Sequence, residues 1–209
     1  MGDIAPSYDY IIIGAGSAGC TLANRLSADS KISVLVLEAG GEDSNFWIHV
    51  PAGFIKTMVD PKVNWLFDTE PEANLAGRQI PIPRGKVLGG SSSINGMIYV
   101  RGQARDYDMW GQLGNRGWSY ADVLPYFKRS ENREGGGDEF HGEGGPLNVA
   151  DVTETYPLLD TVIDAAEEAG YPRNADYNGA EQEGFGYYQV TQKRGRRFSA
   201  KSAYLDPVR

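Results

Sequence analysis

The sequence predicts an α/β protein organised around a parallel βαβ unit, and three observations carry that prediction. "YDYIIIGAG", Tyr8 to Gly16, is a β-branched apolar run that closes on glycines, the pattern of a buried parallel strand. "SAGCTLANRLSAD" follows with Ala18, Cys20, Leu22, Ala23 and Leu26 at helical spacing and ends in Ser/Asp turn chemistry. "ISVLVLEAGG", Ile32 to Gly41, is a second apolar strand. A strand, a helix and a strand within about 30 residues form a βαβ unit, whose right-handed crossover makes the two strands parallel.

The later elements are less regular. Residues 42–83 hold five prolines and the pair Trp47 and Trp65, and read as long loops with a short helix near Phe54. "ARDYDMWGQLG" starts a short helix around Arg105. "SYADVLPYFKRSE" has Ser119 as its N-cap and an apolar face of Val123, Leu124 and Phe127, with Pro125 placed to kink it. "REGGGDEFHGEGG", Arg133 to Gly145, reads as a mobile loop. Thr155 to Gly170 forms an amphipathic helix ended by glycine. The alternation of Tyr188, Val190 and Gln192 before an "RG" pair suggests a hairpin.

Composition narrows the function classes. The 209 residues suffice for one large domain or two small ones, and 41% apolar with 23% charged residues is ordinary for a folded protein. Glycine is the outlier, with 27 residues clustered in a few places, which suggests tight turns and close backbone contacts. A net charge of −8 argues against a nucleic-acid surface, because phosphate binding needs a basic face. The one basic run, Lys193 to Arg197, reads as a solvated turn, with an anion site as the alternative. The single cysteine, Cys20, excludes an internal disulfide framework and a cysteine-cluster metal site. No run reaches the roughly 18 apolar residues of a membrane span. "MGDIAPSYDY" lacks the pattern of a secretory signal, and Gly2 lacks the Ser or Thr that myristoylation requires. The expectation is a soluble cytoplasmic protein, with peripheral membrane association left open.

Gly14-Ala15-Gly16-Ser17-Ala18-Gly19 is where chemistry first enters. Gly14 permits the tight turn, Gly16 lets the backbone approach a pyrophosphate, and Gly19 lets the helix pack closely on the strand. The helix N-terminus adds free N–H groups and positive potential. GxGxxG alone is weak evidence, but here it follows a strand, opens a helix and precedes Glu38 at the end of the second strand. A carboxylate at that point is placed to accept hydrogen bonds from ribose hydroxyls. The pattern points to a dinucleotide without separating NAD from FAD.

"GKVLGGSSSINGM", Gly85 to Met97, has the composition of a flexible linker, yet it lies between apolar and aromatic-rich segments. With its flanks it resembles the first signature of the glucose–methanol–choline (GMC) oxidoreductases, which are FAD-dependent. The matching positions are Gly85, Lys86, Leu88, Gly89, Gly90, Ser91, Ser92, Ile94, Asn95, Tyr99, Gly102 and Asp108. "NWLFDTEP" around Trp65, Tyr177 to Ala200 and "AYLDPVR" extend the similarity to the family's bacterial branch. That branch holds alkyl-alcohol, polyethylene glycol, sorbose and choline dehydrogenases, and "YYQVTQKRGRR" looks most like the aliphatic-alcohol enzymes.

The resemblance implies a Rossmann-like FAD-binding domain with loop-rich insertions, incomplete without a C-terminal half. Residues 1–150 would form its N-terminal part, with the βαβ unit at 8–41 and the flavin-contacting signature at 84–108. Residues 151–209 would begin a substrate-binding domain. The cofactor would meet Gly14, Gly16, Ser17, Ala18, Gly19, Glu38, Ala39, Trp65, Arg84, Val87, Gly89, Gly90 and Ser91, with Asn95, Gly96, Met97 and Ile98 along the isoalloxazine. Some family members attach FAD covalently through a histidine that Ile94 replaces here, so the FAD is expected to be non-covalent.

The implied reaction is oxidation of a primary alcohol to an aldehyde, with hydride passing to flavin N5 and oxygen or a quinone as the final acceptor. Family members carry their histidine base near the C-terminus of a longer chain, and no catalytic residue or metal ligand is assigned here. His49 reads as a structural loop residue and His141 as a mobile-loop residue able to gate access. Two alternatives stand beside this one: lyase or light-driven decarboxylase chemistry on the same scaffold, and a non-catalytic FAD-binding remnant or half of a split complex.

Overall fold

The computed structural model describes residues 7–209; Gly2 and the other residues of 1–6, the start of the stretch weighed for a signal or lipid site, lie outside the described residues. The chain divides into two compact units, one of residues 1–97 and 194–209 and the other of residues 98–193.

In the first unit, β1 (Tyr10–Ile13), α1 (Ser17–Leu26) and β2 (Val34–Leu37) form the expected βαβ unit. The strands are parallel, with Tyr10 opposite Val34 and Ile13 opposite Leu37. One face of the pair is covered and the other is open in this part of the domain. Ile12 is covered by α1, whereas Ile13 is 88% exposed, because the sheet has two strands and α1 lies on one face only. Two short helices, α2 (Phe46–His49) and α3 (Phe54–Thr57), follow where one near Phe54 was expected. Two short antiparallel strands, β3 (Phe67–Asp68) and β4 (Pro81–Ile82), lie within the segment read as loop. Ile48, Val63, Val87 and Ile94 pack as a buried apolar cluster. The C-terminal segment returns to α1, where Asn24 Nδ2 donates to the Tyr204 carbonyl at 2.8 Å.

In the second unit, β5 (Ile98–Tyr99) is followed by α4 (Ala104–Gln112) and α5 (Tyr120–Ser130). Ser119 caps α5, its hydroxyl paired reciprocally with Asp122, and the helix runs through Pro125 as one element. Next come β6 (Glu131–Arg133) and β7 (Leu147–Val149), which pair in parallel, and α6 (Pro157–Glu168). β8 (Gln189–Val190) pairs with β5.

The hairpin strands are short, β9 (Gln192–Lys193) and β10 (Arg196–Arg197), and they flank a turn with φ of 53° at Arg194 and 70° at Gly195. The expected parts, 1–150 and 151–209, do not coincide with the two units. Ala150 bridges Val190 inside the second unit, and residues 194–209 pack in the first.

The segment 133–145 is not a free loop. His141 is 1% exposed, and a Cβ on Gly142 would collide with the Lys128 carbonyl. Gly142 and Gly145 serve close packing, Gly136 and Gly144 hold left-handed turns, and His141 is a buried network residue. In the basic run, Lys193 to Arg196 are exposed as a solvated turn requires, and Arg197 alone is buried.

Candidate cofactor site

The first glycine loop leaves β1 through Gly14, whose φ of 92° suits glycine, and enters α1 at Gly16. A Cβ on Gly19 would collide with the Gly14 carbonyl oxygen, so Gly19 allows helix and strand to approach as the fingerprint requires. Nothing lies within 4 Å of the place a Gly16 Cβ would take. Bare backbone at Gly16 therefore faces open space, the cradle a phosphate group would need.

The Gly85–Met97 stretch packs against this loop. Gly89 N–H donates to the Ala15 carbonyl at 2.8 Å, and a Cβ on Gly90 would sit 2.7 Å from the Gly16 Cα. Gly90 then opens a 3-10 turn, Gly90–Ser93. Two of its serines are stitches: Ser92 Oγ donates to the Gly89 carbonyl, and Ser93 Oγ to that of Leu88. Ser91 Oγ accepts from Gly85 N–H at 3.1 Å, which leaves its proton to donate elsewhere. The linker composition is thus a folded turn.

Glu38 ties the end of β2 to the same loop. One carboxylate oxygen accepts from Ala15 N–H at 2.7 Å and the other from Gly40 N–H at 2.9 Å. A carboxylate has about four acceptor sites, so both oxygens can still receive hydroxyl protons.

These elements surround a cavity of about 740 Å³. Of the residues expected at a cofactor, Gly14, Gly16, Ser17, Glu38, Ala39, Trp65, Arg84, Gly90 and Ser91 line it. Gly85 of the signature lines it too, as do Ile13, Leu37, Phe67 and Ile82, which the sequence reading omitted. Trp65 stacks on Phe67 with centroids 5.8 Å apart, and Lys86 Nζ sits 4.7 Å from the Trp65 ring centre. The sequence signal for Ile13 and Leu37 was available, since each ends a parallel strand where α/β sheets bind ligands.

Other expected residues stand outside this lining. Gly19 and Gly89 shape the loops from behind, and Ala18 is an exposed residue of the first turn of α1. Val87 belongs to the buried apolar cluster, so its side chain packs the core. Asn95 and Gly96 are exposed, whereas Met97 is buried with a left-handed φ of 64°. Ile98 lies in the second unit, opposite Val190. His49 Nε2 pairs with the Asp43 carbonyl at 2.8 Å, a structural contact.

Fold and cavity together define an α/β protein of the dinucleotide-binding class. The chain belongs to the GMC oxidoreductase family, whose model matches residues 8–209. It is 55% identical over 200 residues to an oxygen-dependent choline dehydrogenase of Sinorhizobium fredii, covering 96% of this chain and 36% of that one. An oxygen-dependent choline dehydrogenase of Vibrio vulnificus is 53% identical over 95% of this chain and 36% of its own length. The chain thus spans little more than a third of these relatives, whose name differs from the aliphatic-alcohol enzymes that "YYQVTQKRGRR" resembles.

Among solved structures, pyridoxine 4-oxidase from Mesorbium loti superposes with a TM-score of 0.92 at 37% identity, over 97% of this chain and 40% of that one. An FAD-dependent oxidoreductase from Chaetomium thermophilum gives 0.86 at 33% identity, over 97% of this chain and 37% of its own.

Proposed function

We propose that this chain is the cofactor-holding, N-terminal part of an FAD-dependent oxidoreductase that oxidises a primary alcohol, non-covalently binding its FAD. The observation that carries this reading is the meeting of the two glycine loops at Gly16 and Gly90 beside a cavity that Glu38 also lines. Family membership and the relatives named for choline oxidation support the alcohol class.

FAD, when bound, supplies the acceptor for a hydride from the alcohol carbon. The chain's own residues hold and orient it. Gly16 and the first N–H groups of α1 would take the pyrophosphate, Glu38 the ribose hydroxyls, and Ser91 would donate from the signature turn. Trp65 and Arg84 would close the cavity wall. Asn95, Gly96, Met97 and Ile98 would run beside the ring, where N–H donors stabilise negative charge. Both His141 ring nitrogens are engaged by carboxylates, and neither His141 nor His49 lines the cavity, so we assign the base that takes the hydroxyl proton to neither of them. For the expected parts we keep the roles of FAD-binding part (1–150) and start of a substrate domain (151–209), except that residues 194–209 pack with the FAD-binding unit.

The test has two stages. FAD is titrated into the protein, and saturable binding with quenched flavin fluorescence is expected. The loaded full-length enzyme is then mixed anaerobically with primary alcohols, choline among them, and the flavin band near about 450 nm should bleach. FAD binding without bleaching by any alcohol would overturn the alcohol assignment alone.

A further inference from the structure

Arg197 is 5% exposed, and its guanidinium is held only by neutral oxygens. Nε donates to the Ile48 carbonyl at 2.7 Å, and Nη1 to the Ser92 carbonyl at 3.1 Å and to Asn95 Oδ1 at 2.8 Å. Nη2 is buried with no partner. Among the described residues no carboxylate forms an ion pair with it, and burial pulls its pKa down to about 10. Arg101, buried to a similar degree in the second unit, has Glu131 at 2.8 Å. A buried cation without an anion is costly, and natural chains pair such groups. Arg197 stands behind the exposed Asn95, whose Oδ1 also accepts from Met97 N–H at 3.1 Å. With Oδ1 committed inward, the Nδ2 group is the donor left to a ligand.

We propose that Arg197 is a positioning residue for the flavin: it fixes the Asn95 amide and places an uncompensated positive charge behind residues 95–97, where it stabilises negative charge on the reduced isoalloxazine. This rests on the reading that FAD binds with its ring beside that segment. The missing counterion is then the reduced cofactor itself, which explains why no carboxylate among the described residues fills the role.

The experiment measures the two-electron midpoint potential of bound FAD by spectroelectrochemical titration in the full-length holoenzyme. Arg197→Met should lower the potential by the equivalent of at least tenfold in the equilibrium constant, about 30 mV for two electrons. Arg197→Lys, which keeps the charge, should stay within about threefold, a rescue that a merely structural role would not give. Should the Met variant not fold, Arg197→Gln, which keeps a donor for the Ile48 carbonyl, is judged by the same criterion. Wild-type potential should also exceed that of free FAD by at least tenfold in the same units. FAD bound normally by a variant lacking the charge, at an unchanged potential, overturns the proposal, as does a wild-type potential at or below that of free FAD. Failure of the wild type to bind FAD refutes the underlying reading instead, so the two failures are distinct.

Discussion

Gly90 abuts Gly16 so closely that a Cβ on Gly90 would lie 2.7 Å from the Gly16 Cα, although 74 positions of chain separate them. Gly90 also has a left-handed φ of 55°, whereas Gly16 has an ordinary extended backbone and open space beside it. The two glycines therefore differ in what they tolerate. Gly90→Ala should cost about 2 kcal/mol of stability, from the strained φ and the displaced loop. Gly16→Ala should stay within about 0.5 kcal/mol of wild type and weaken FAD binding at least tenfold. Thermal unfolding of the apoprotein and FAD titration separate the two effects. Equal FAD affinity for Gly16→Ala and wild type would mean the phosphate-facing backbone is elsewhere.

Glu38 accepts one N–H on each oxygen, from Ala15 and Gly40. In Glu38→Gln, one of those N–H groups must face an NH2 donor, and the charge that strengthens both bonds is gone. The apoprotein should lose about 2 kcal/mol of stability. FAD affinity should fall further than stability alone explains, because a ribose acceptor is removed too. Chemical denaturation with and without FAD measures both. A variant as stable as wild type would show that the carboxylate does not clamp the loop.

Cys20 is buried in α1, where its Sγ donates to the Ala15 carbonyl at 3.2 Å, and burial pushes the thiol up to about 11. Only the thiolate attacks disulfide reagents. Native protein at neutral pH should react with an aromatic disulfide at least about a hundredfold more slowly than protein in urea. Rapid labelling of the native state would indicate that the α1 packing opens readily.

Ile94 occupies the position at which the resemblance expects a histidine in covalent relatives, and its side chain packs with Ile48, Val63 and Val87. It offers no nucleophile to a flavin. Acid precipitation of the FAD-loaded protein should leave a yellow supernatant and a colourless pellet. Flavin retained in the pellet after washing in denaturant would contradict dissociable binding.

The βαβ unit was readable because its signals are local: β-branched runs, helical spacing and glycines at fixed offsets all lie within residues 8–41. The signature turn was readable only through resemblance, since composition alone suggested a linker. The structure gives its glycines a second purpose, packing loop on loop, which no local pattern encodes. The exposed face of β1 and β2 belongs to a chain that spans 36% of its relatives' length, whereas the inner face at Ile12 is buried as the apolar run implies. The 133–145 segment and Arg197 were misread. A glycine-rich or basic stretch looks solvated until partners outside it, such as Asp176 for His141 and Ile48 for Arg197, are brought against it.

His141 is the residue whose role changed most, and it yields a pH prediction. Its Nδ1 lies 3.2 Å from Glu131 Oε1 and its Nε2 lies 2.7 Å from Asp176 Oδ2. Arg101 Nη2 and Gly142 N–H occupy the other Glu131 oxygen, each at 2.8 Å, and Arg133 approaches Asp176 at 3.6 Å. Only an imidazolium can donate to both carboxylates; a neutral ring would turn a lone pair toward one of them. Burial by itself lowers the pKa, but the bonds and charges of Glu131 and then Asp176 outweigh it, and the net shift is upward from 6.5. A folded pKa above the unfolded one means that protonation favours the native state. This stabilisation is fully present below the unfolded value of 6.5 and is lost as pH rises through the higher folded value. Wild-type stability against urea, followed from about pH 6 to about pH 9, should therefore decline as the imidazolium deprotonates. His141→Gln should be less stable at the acidic end and show a flatter profile. His141→Ala should cost about 3 kcal/mol there, the low end for breaking a buried pair because Arg101 still accompanies Glu131. An identical pH profile for wild type and His141→Gln would remove the imidazolium from the account of how this segment is held.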